Sequence, residues 1–187
     1  MSDQLTAPPA RSSRADRARS TWSFLAPYAV QAVLVMAILA AVGALAGVVW
    51  EWWWSPPVGV VVHHHWLQDE EALRGSFDAT GTYVVVAAVA GLLAGAVVAL
   101  LLDRSELVTL VAVLAGSLLG GWLMYRVGVA LGPADPRPLA ETAADGTRLP
   151  ARLVVSGLSP RRVFPGAALL GVLVVFLGFS RRRAVRD

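Results

Sequence analysis

The fold is decided by the stretch 24–50, FLAPYAVQAVLVMAILAAVGALAGVVW, which has 27 consecutive residues without a charged side chain. A helix that crosses the hydrocarbon core of a bilayer needs about 20 such residues. A cleaved signal peptide has a shorter apolar region of about 7–15 residues that ends at small residues. Here the stretch is followed by Glu51 and three tryptophans. It therefore predicts a membrane-spanning helix that is retained.

Three further apolar segments predict three more spans, at 82–102, 107–131 and 163–180. Over the whole chain 56% of the residues are hydrophobic and 16% are charged, whereas about a quarter are charged in a typical soluble domain. The predicted fold class is all-α transmembrane, a four-helix membrane bundle. The remaining segments are a tail at 1–23, outer loops at 51–81 and 132–162, an inner connector at 103–106 and a second tail at 181–187.

The distribution of arginine predicts the orientation of the spans. All 16 basic residues are arginine, which together with the abundant alanine, valine and glycine is typical of a GC-rich genome. The side that carries both termini holds nine arginines and five acidic residues, and the opposite side holds seven and eight. Arginine near spans favours the cytoplasmic face, although Arg161 and Arg162 directly precede the fourth span on the other side. We therefore expect a multi-pass plasma-membrane protein with both termini in the cytoplasm.

Signals near the ends of the spans predict local structure. Trp22 and the four tryptophans of the range 50–54 are typical of aromatic belts at the headgroup layer. Trp122 lies inside the third span and is expected to pack against other helices. Asp103 with Glu106 resembles a capping box at the start of the third helix. The four-residue connector predicts that the second and third spans are neighbours.

Glycines recur at four-residue spacing in three spans, as Gly43/Gly47, Gly91/Gly95 and Gly116/Gly120. Such pairs let helix backbones approach closely, and packing drives helix association in lipid. Because the chain has 17 glycines, chance alone produces some pairs, so each pair is either an interface or a coincidence. Gln31, near the start of the first span, is expected to form a hydrogen bond between packed helices.

The two outer loops contain segments typical of β-strands. In the first, VGVVVHHHWL at 58–67 is rich in β-branched residues and too short to cross a membrane, so it predicts a strand. In the second, Asp145-Gly146 predicts a two-residue hairpin turn and 152–156 a following strand. A hairpin alone is marginal in water. We therefore expect strands from both loops to form one small sheet capping the bundle, with Pro150 at an edge or a strand start.

Two parts of the sequence carry a resemblance to a known family. The first is VVWEW at 48–52, followed by SPPV at 55–58 and the valine strand, and the second is the ADG turn at 144–146 with a strand before the last span. Together they resemble a family of small actinobacterial four-span membrane proteins classed as a domain of unknown function, in layout over residues 24–180. The resemblance implies the four-span fold and brings no activity, substrate or cofactor.

The run His63, His64 and His65 is the most evident candidate site. In a single strand His63 and His65 would share one face and His64 would point to the other. Two imidazoles with Asp69 or Glu70 have the ligand types of a zinc or copper site, and the alternatives are the polar face of a surface strand or an imidazole cluster that responds to pH. Because no matching ligand spacing occurs elsewhere in the chain, we predict no metal and no cofactor.

Glu51 and Arg126 are the charges at the outer membrane boundary. Arg126 lies about 7 Å inside the end of its predicted helix. Its side chain therefore reaches the headgroups, forms an interface ion pair with Glu51, or binds an anionic ligand. The acidic run at 69–71 is expected to be a solvated turn, and the arginines at 11–19 to bind anionic lipid or simply to retain the tail in the cytoplasm. None of these residues forms a catalytic pattern.

These patterns favour a non-enzymatic accessory or interaction component of the cell envelope. Its expected partners are the lipid bilayer and another membrane or envelope protein, docked through the cap and the glycine-lined helix faces. The alternative is a small homo-oligomeric transporter or channel, but the spans contain few of the ionisable residues that mark substrate paths. An enzyme would have only the histidines and Glu51 near the outer interface. Nucleic acid is not expected, because the arginines lie in the tails and one loop.

The arginine distribution predicts where reporters fused to the chain will lie. Fusions after residue 23 and after residue 187 are expected to report the cytoplasm, because arginine near the spans is retained inside. A fusion at Gly75 is expected to report the outside. Reporter activity in intact cells measures all three positions, and a cytoplasmic signal at Gly75 would contradict the four-span topology.

Overall fold

The structure is a computed structural model that describes residues 14–101, 106–155, 157 and 159–184. Its helices are α1 (Arg14–Trp53), α2 (Glu70–Leu101), α3 (Glu106–Leu131), α4 (Pro136–Ala140) and α5 (Val163–Ala184), and its strands are β1 (Val58–Val62), β2 (His65–Leu67) and β3 (Arg148–Pro150). The predicted capping residue Asp103 and parts of both predicted tails lie outside the described residues. In the described part, four helices are long and apolar enough to cross a membrane. The predicted four-helix membrane bundle with a small β cap is therefore confirmed.

The membrane-spanning segments lie at Ala26–Trp53, Ala72–Leu101, Leu107–Ala140 and Pro160–Gly178. The largest difference from the sequence prediction is the start of α2, which begins at Glu70 within the predicted outer loop. Asp69 caps this helix, because its Oδ1 accepts a hydrogen bond of 2.8 Å from the backbone N–H of Ala72. The first turns carry Glu70 and Asp78. Their charges lower the local hydropathy, so the apolar segment in the sequence begins later than the helix. The prediction of a loop through residue 81 is therefore wrong, and the acidic run begins a helix, although Asp69 and Glu70 are exposed to solvent as expected.

The four spans form a bundle whose order around its axis is α1, α3, α5 and α2. α1 packs along α3, and α2 packs along α5, in the two most extensive helix contacts. α2 and α3 follow each other in the chain, yet they face each other across the diagonal and touch only lightly. The expectation that the second and third spans are neighbours is therefore wrong.

Glycines bring the backbones of each helix pair into direct contact. A Cβ atom placed on Gly43 of α1 would overlap the backbone of Gly120 of α3, and one placed on Gly95 of α2 would overlap the carbonyl of Ala168 of α5. All six glycines of the predicted pairs lie against a partner helix. In lipid, where apolar side chains gain little by moving into an interface, such close packing selects the partners. The glycine interfaces are thus confirmed, and they are used within the chain.

One buried hydrogen bond joins α1 to α3 near the end of the bundle that carries the termini. Nε2 of Gln31 donates to Oγ1 of Thr109 at 2.8 Å, which confirms the predicted role of Gln31. Ser117, the third buried polar side chain of the described residues, donates to the carbonyl oxygen of Leu114 in its own helix at 3.0 Å. The rest of the described bundle interior is apolar or aromatic.

The glycine contacts predict a sharp dependence on one added methyl group. We expect Gly95→Ala to lower the free energy of unfolding by about 1–3 kcal/mol, the usual effect of overpacking. Gly81 lies in the same helix with open space around its Cβ direction. Gly81→Ala is therefore expected to be neutral or to stabilise the protein by up to about 1 kcal/mol. Reversible unfolding in mixed detergent and SDS measures both variants, and an equal effect of the two would contradict the close contact at Gly95.

Candidate functional site

The cap is a three-stranded antiparallel sheet that both loops build together. Its strand order is β2-β1-β3. Val61 of β1 lies opposite Trp66 of β2, and Gly59 of β1 lies opposite Leu149 of β3. The backbone N–H of Val61 also donates to the carbonyl oxygen of Thr147, the residue directly before β3, at 2.9 Å. The prediction that strands from both loops share one sheet is confirmed.

The histidine run forms the turn of the β1–β2 hairpin. His63 and His64 are its two central residues, with φ of 49° and 62°, and His65 begins β2. Two-residue hairpin loops of this kind need positive φ at both central residues to match the strand twist. Histidine enters that region more readily than a β-branched residue such as Val62. The prediction of one strand over 58–67, with His63 and His65 on a shared face, is therefore wrong.

The second loop pairs with the first loop and not with itself. Gly146 adopts the predicted turn with φ of 89°, but β3 after it pairs with β1, so the predicted hairpin within this loop is wrong. The expected strand at 152–156 has no strand partner over its described part, because β1 begins only after Pro57. The side chains of this segment still alternate between buried and exposed, as in a strand, and Leu153 and Val155 are buried in the bundle core.

The inward face of the sheet is organised by an indole ring. Nε1 of Trp66 donates to the carbonyl oxygen of Leu149 at 3.1 Å. The ring crosses β1 at Gly59, where an added Cβ would lie 2.5 Å from that nitrogen. Val61 next to it on the same face is completely buried. Glycine at position 59 is thus required for the sheet to close over its tryptophan.

The outward face of the sheet is apolar and exposed. It carries Val58, Val60, Val62 and Leu67, which we call the valine face, and each of these side chains is between 37% and 53% exposed. The strand register places His65 opposite Val62 and Arg148 opposite Val60, so both polar residues lie at the border of this face. Packing within the described part of the chain does not cover the valine face.

A cavity of about 320 Å³ lies on the other side of the sheet, beside α4. Asp135 caps α4, and its Oδ1 accepts a hydrogen bond of 3.1 Å from the backbone N–H of Arg137. Oδ2 of Asp135 lies 3.7 Å from Nη1 of Arg152 in an ion pair. The lining is Trp66, Gln68, Asp135, Pro136, Arg137, Ala151, Arg152 and Val154. Its one carboxylate therefore has a structural role, and the lining offers no nucleophile beside a base.

Below the cap, Trp50 is completely buried at the centre of the bundle. Its indole N–H donates to the carbonyl oxygen of Ala79 at 2.9 Å. The ring meets the edge of Tyr83 at 4.9 Å and stacks with Tyr125 at 6.5 Å between centroids. Gly128 lies directly against the indole, and any side chain there would overlap it. Trp50 of α1 therefore contacts both α2 and α3.

The tryptophans near the ends of the spans divide between the core and the surface. The prediction that Trp50 and Trp54 belong to an aromatic belt is wrong, because both rings are in the core. Trp52 and Trp53 are 83% and 63% exposed, as residues of a belt would be. Trp122 was expected to pack inside the bundle, but it is 56% exposed on the outside of α3. The position of a tryptophan in the middle of an apolar helix thus does not show whether its side chain faces the bundle or the lipid.

Two arginines lie over aromatic rings at the end of the spans nearer the cap. Cζ of Arg126 is 5.6 Å from the ring centroid of Trp122, and Cζ of Arg161 is 3.9 Å from that of Tyr125. In the described part of the chain, Arg126 and Glu51 form no ion pair, so the structure does not bring the predicted pair together. The contact of Arg161 with Tyr125 is not predicted from the sequence. The sequence feature that could have indicated it is an arginine on the outer side of the membrane, where few are expected.

The described residues contain no group of three or more histidine, aspartate or glutamate side chains placed to hold a metal ion. The three histidines are exposed at and beside the tip of the hairpin. Comparisons with protein-family models, curated proteins and solved structures found no match. The candidate functional surfaces are therefore the valine face and the arginines held on aromatic rings.

The strand register predicts a specific disulfide across the two loops. Val60 and Arg148 lie directly opposite each other, beside the hydrogen-bonded pair of Val61 and Thr147. Val60 and Arg148 are therefore a non-hydrogen-bonded pair. The Cα atoms of such a pair lie about 4.5 Å apart, a distance that suits a disulfide. The double variant V60C/R148C of this cysteine-free chain is expected to form that bond, as a linked peptide in mass spectrometry. In the control V61C/R148C the side chains point to opposite faces, so an equal yield would contradict the register.

Proposed function

We propose that this protein is a non-enzymatic accessory component of the cell envelope that docks a partner protein through the valine face of its cap. Four spans anchor it in the plasma membrane. The arginine distribution supports cytoplasmic termini, so that the cap stands outside the cytoplasm. Membership in the actinobacterial family of unknown function is proposed on sequence layout alone.

The observation that carries this proposal is the exposed apolar side of the sheet. Its four valine and leucine side chains point away from the side of the sheet on which Val61 is buried and Trp66 is partly buried. Apolar patches bordered by polar groups mark interaction sites on protein surfaces. His65 and Arg148 supply that border, and the arrangement matches the apolar centre and polar rim of known interfaces.

The size of the valine face predicts a modest affinity. Full burial of one valine or leucine side chain contributes about 1.5–3 kcal/mol, and these side chains are already partly buried. Association in solution loses translational and rotational freedom that costs at least ~4 kcal/mol. A partner confined to the same membrane meets the cap at a high effective concentration, which reduces that loss. The expected partner is therefore itself a membrane or membrane-bound protein.

The helix faces are less suited to docking than the cap. The glycine pairs, which the sequence suggested as a second docking surface, are occupied by contacts between α1 and α3 and between α2 and α5. An added partner helix would meet the valine and leucine side chains on the outside of the bundle. Such side chains are as well solvated by lipid as by another helix.

The small number of buried polar side chains disfavours the transporter alternative. Gln31, Thr109 and Ser117 are the buried polar residues of the described chain, and the first two bond to each other. Substrate paths through membranes usually contain ionisable groups that face the interior. A pore between copies of the chain would instead need contacts between identical subunits, and such contacts at the cap would appear in the following experiment as a product with the mass of two chains.

The docking proposal is tested with a photoreactive amino acid placed singly at Val60 or Leu67 of the full chain in cells. Both positions are expected to crosslink to the same second protein on irradiation, because both side chains lie on the valine face. The crosslinked mass on an immunoblot and peptide sequencing by mass spectrometry identify the product.

Leu139 provides a matched control for this experiment. It is an apolar residue that is 49% exposed, and it lies on α4, which packs beside the sheet. We expect no crosslink to that protein from Leu139. The docking proposal would be contradicted by the same product from all three positions, by a product with the mass of two copies of this chain, or by no product from Val60 and Leu67.

A further inference from the structure

Three arginines gather at the end of the spans nearer the cap. Arg126 lies in the last turns of α3, and Arg161 and Arg162 form a 3₁₀ turn that packs against α3 before α5 begins. They run against the arginine bias from which the orientation of the chain is inferred. Their presence on this side therefore needs an explanation from their local contacts.

Two of these guanidinium groups are held over neighbouring rings. Arg161 covers Tyr125 at 3.9 Å, and Arg126 covers Trp122 at 5.6 Å. Trp122 and Tyr125 are three residues apart on α3 and are therefore adjacent on its surface. Contacts between a cation and a ring hold each guanidinium in place. The two guanidinium groups therefore contact rings that belong to one turn of α3.

The described structure gives these arginines no carboxylate partner. Its one ion pair joins Arg152 to Asp135 in the cap. Nε of Arg161 is buried and, among the described residues, donates no hydrogen bond. An unpaired buried donor of a charged group is unfavourable, and guanidinium groups satisfy their donors well with phosphate. The guanidinium of Arg161 therefore retains donor capacity that no carboxylate of the described residues uses.

We propose that Arg126 and Arg161 bind the phosphate of an anionic phospholipid in the leaflet nearer the cap. Arg126 lies about 7 Å from the end of α3, a depth from which its side chain reaches the headgroups. Trp122 and Leu118, one turn further into the span, are each 56% exposed and provide an apolar track for an acyl chain. This track favours a lipid over free phosphate.

Native mass spectrometry of the purified full chain with added phosphatidylglycerol measures this binding. We expect the protein to retain phosphatidylglycerol in preference to glucosyl diacylglycerol, which has the same acyl chains and no phosphate. R126Q and R161Q are each expected to weaken binding about tenfold, the usual effect of removing a charged hydrogen-bond partner. R161K is expected to retain part of the affinity, because lysine keeps the charge but lacks the planar fork.

R137Q is the control, since it removes an exposed arginine of α4 that makes no ring contact among the described residues. It is expected to bind phosphatidylglycerol as the natural chain does. Arg126 is exposed, so R126Q tests the site even if R161Q does not fold. Unchanged affinity in R126Q, equal retention of the glycolipid, or displacement of the lipid by inorganic phosphate would each overturn the assignment.

Discussion

Where α1 crosses α3, the backbone of Gly43 meets that of Gly120 with no side chain between them, and Gly95 of α2 meets Ala168 of α5 in the same way. Inside a bilayer, apolar side chains are as well placed in lipid as in an interface, so closeness of approach decides which helices pair. The pairing of α1 with α3 and of α2 with α5 follows from these contacts. It leaves α2 and α3 on the diagonal, although they are consecutive in the chain.

The cap depends on the same pairing. β1 follows α1 and β3 follows α3, so the contact of these two helices delivers both strands to one end of the bundle, where they pair. Trp50 strengthens this end, because its indole donates to Ala79 of α2 and stacks with Tyr125 of α3. Tyr125 in turn carries the guanidinium of Arg161. The docking surface and the lipid site that we propose therefore both rest on how the helices pack.

Much of this architecture could be predicted from the sequence, because it follows from local composition and spacing. The four spans, the glycine interfaces, the hydrogen bond of Gln31 and a sheet shared by both loops were expected and are present. The remaining features depend on distant residues. Trp50 enters the core because Gly128 leaves room for its ring, and β3 pairs with β1 because α1 and α3 are partners. The turn at His63 and His64 was hidden by the strand-like composition around it.

The pairing of helices through glycine contacts is measured most directly by solid-state NMR of the protein in lipid bilayers, with ¹³C introduced only at glycine Cα. We predict a through-space cross-peak between Gly43 and Gly120, because their backbones touch. Cross-peaks that join Gly91 or Gly95 of α2 to Gly116 or Gly120 of α3, with none from Gly43, would show that the consecutive helices are paired instead and would contradict this architecture.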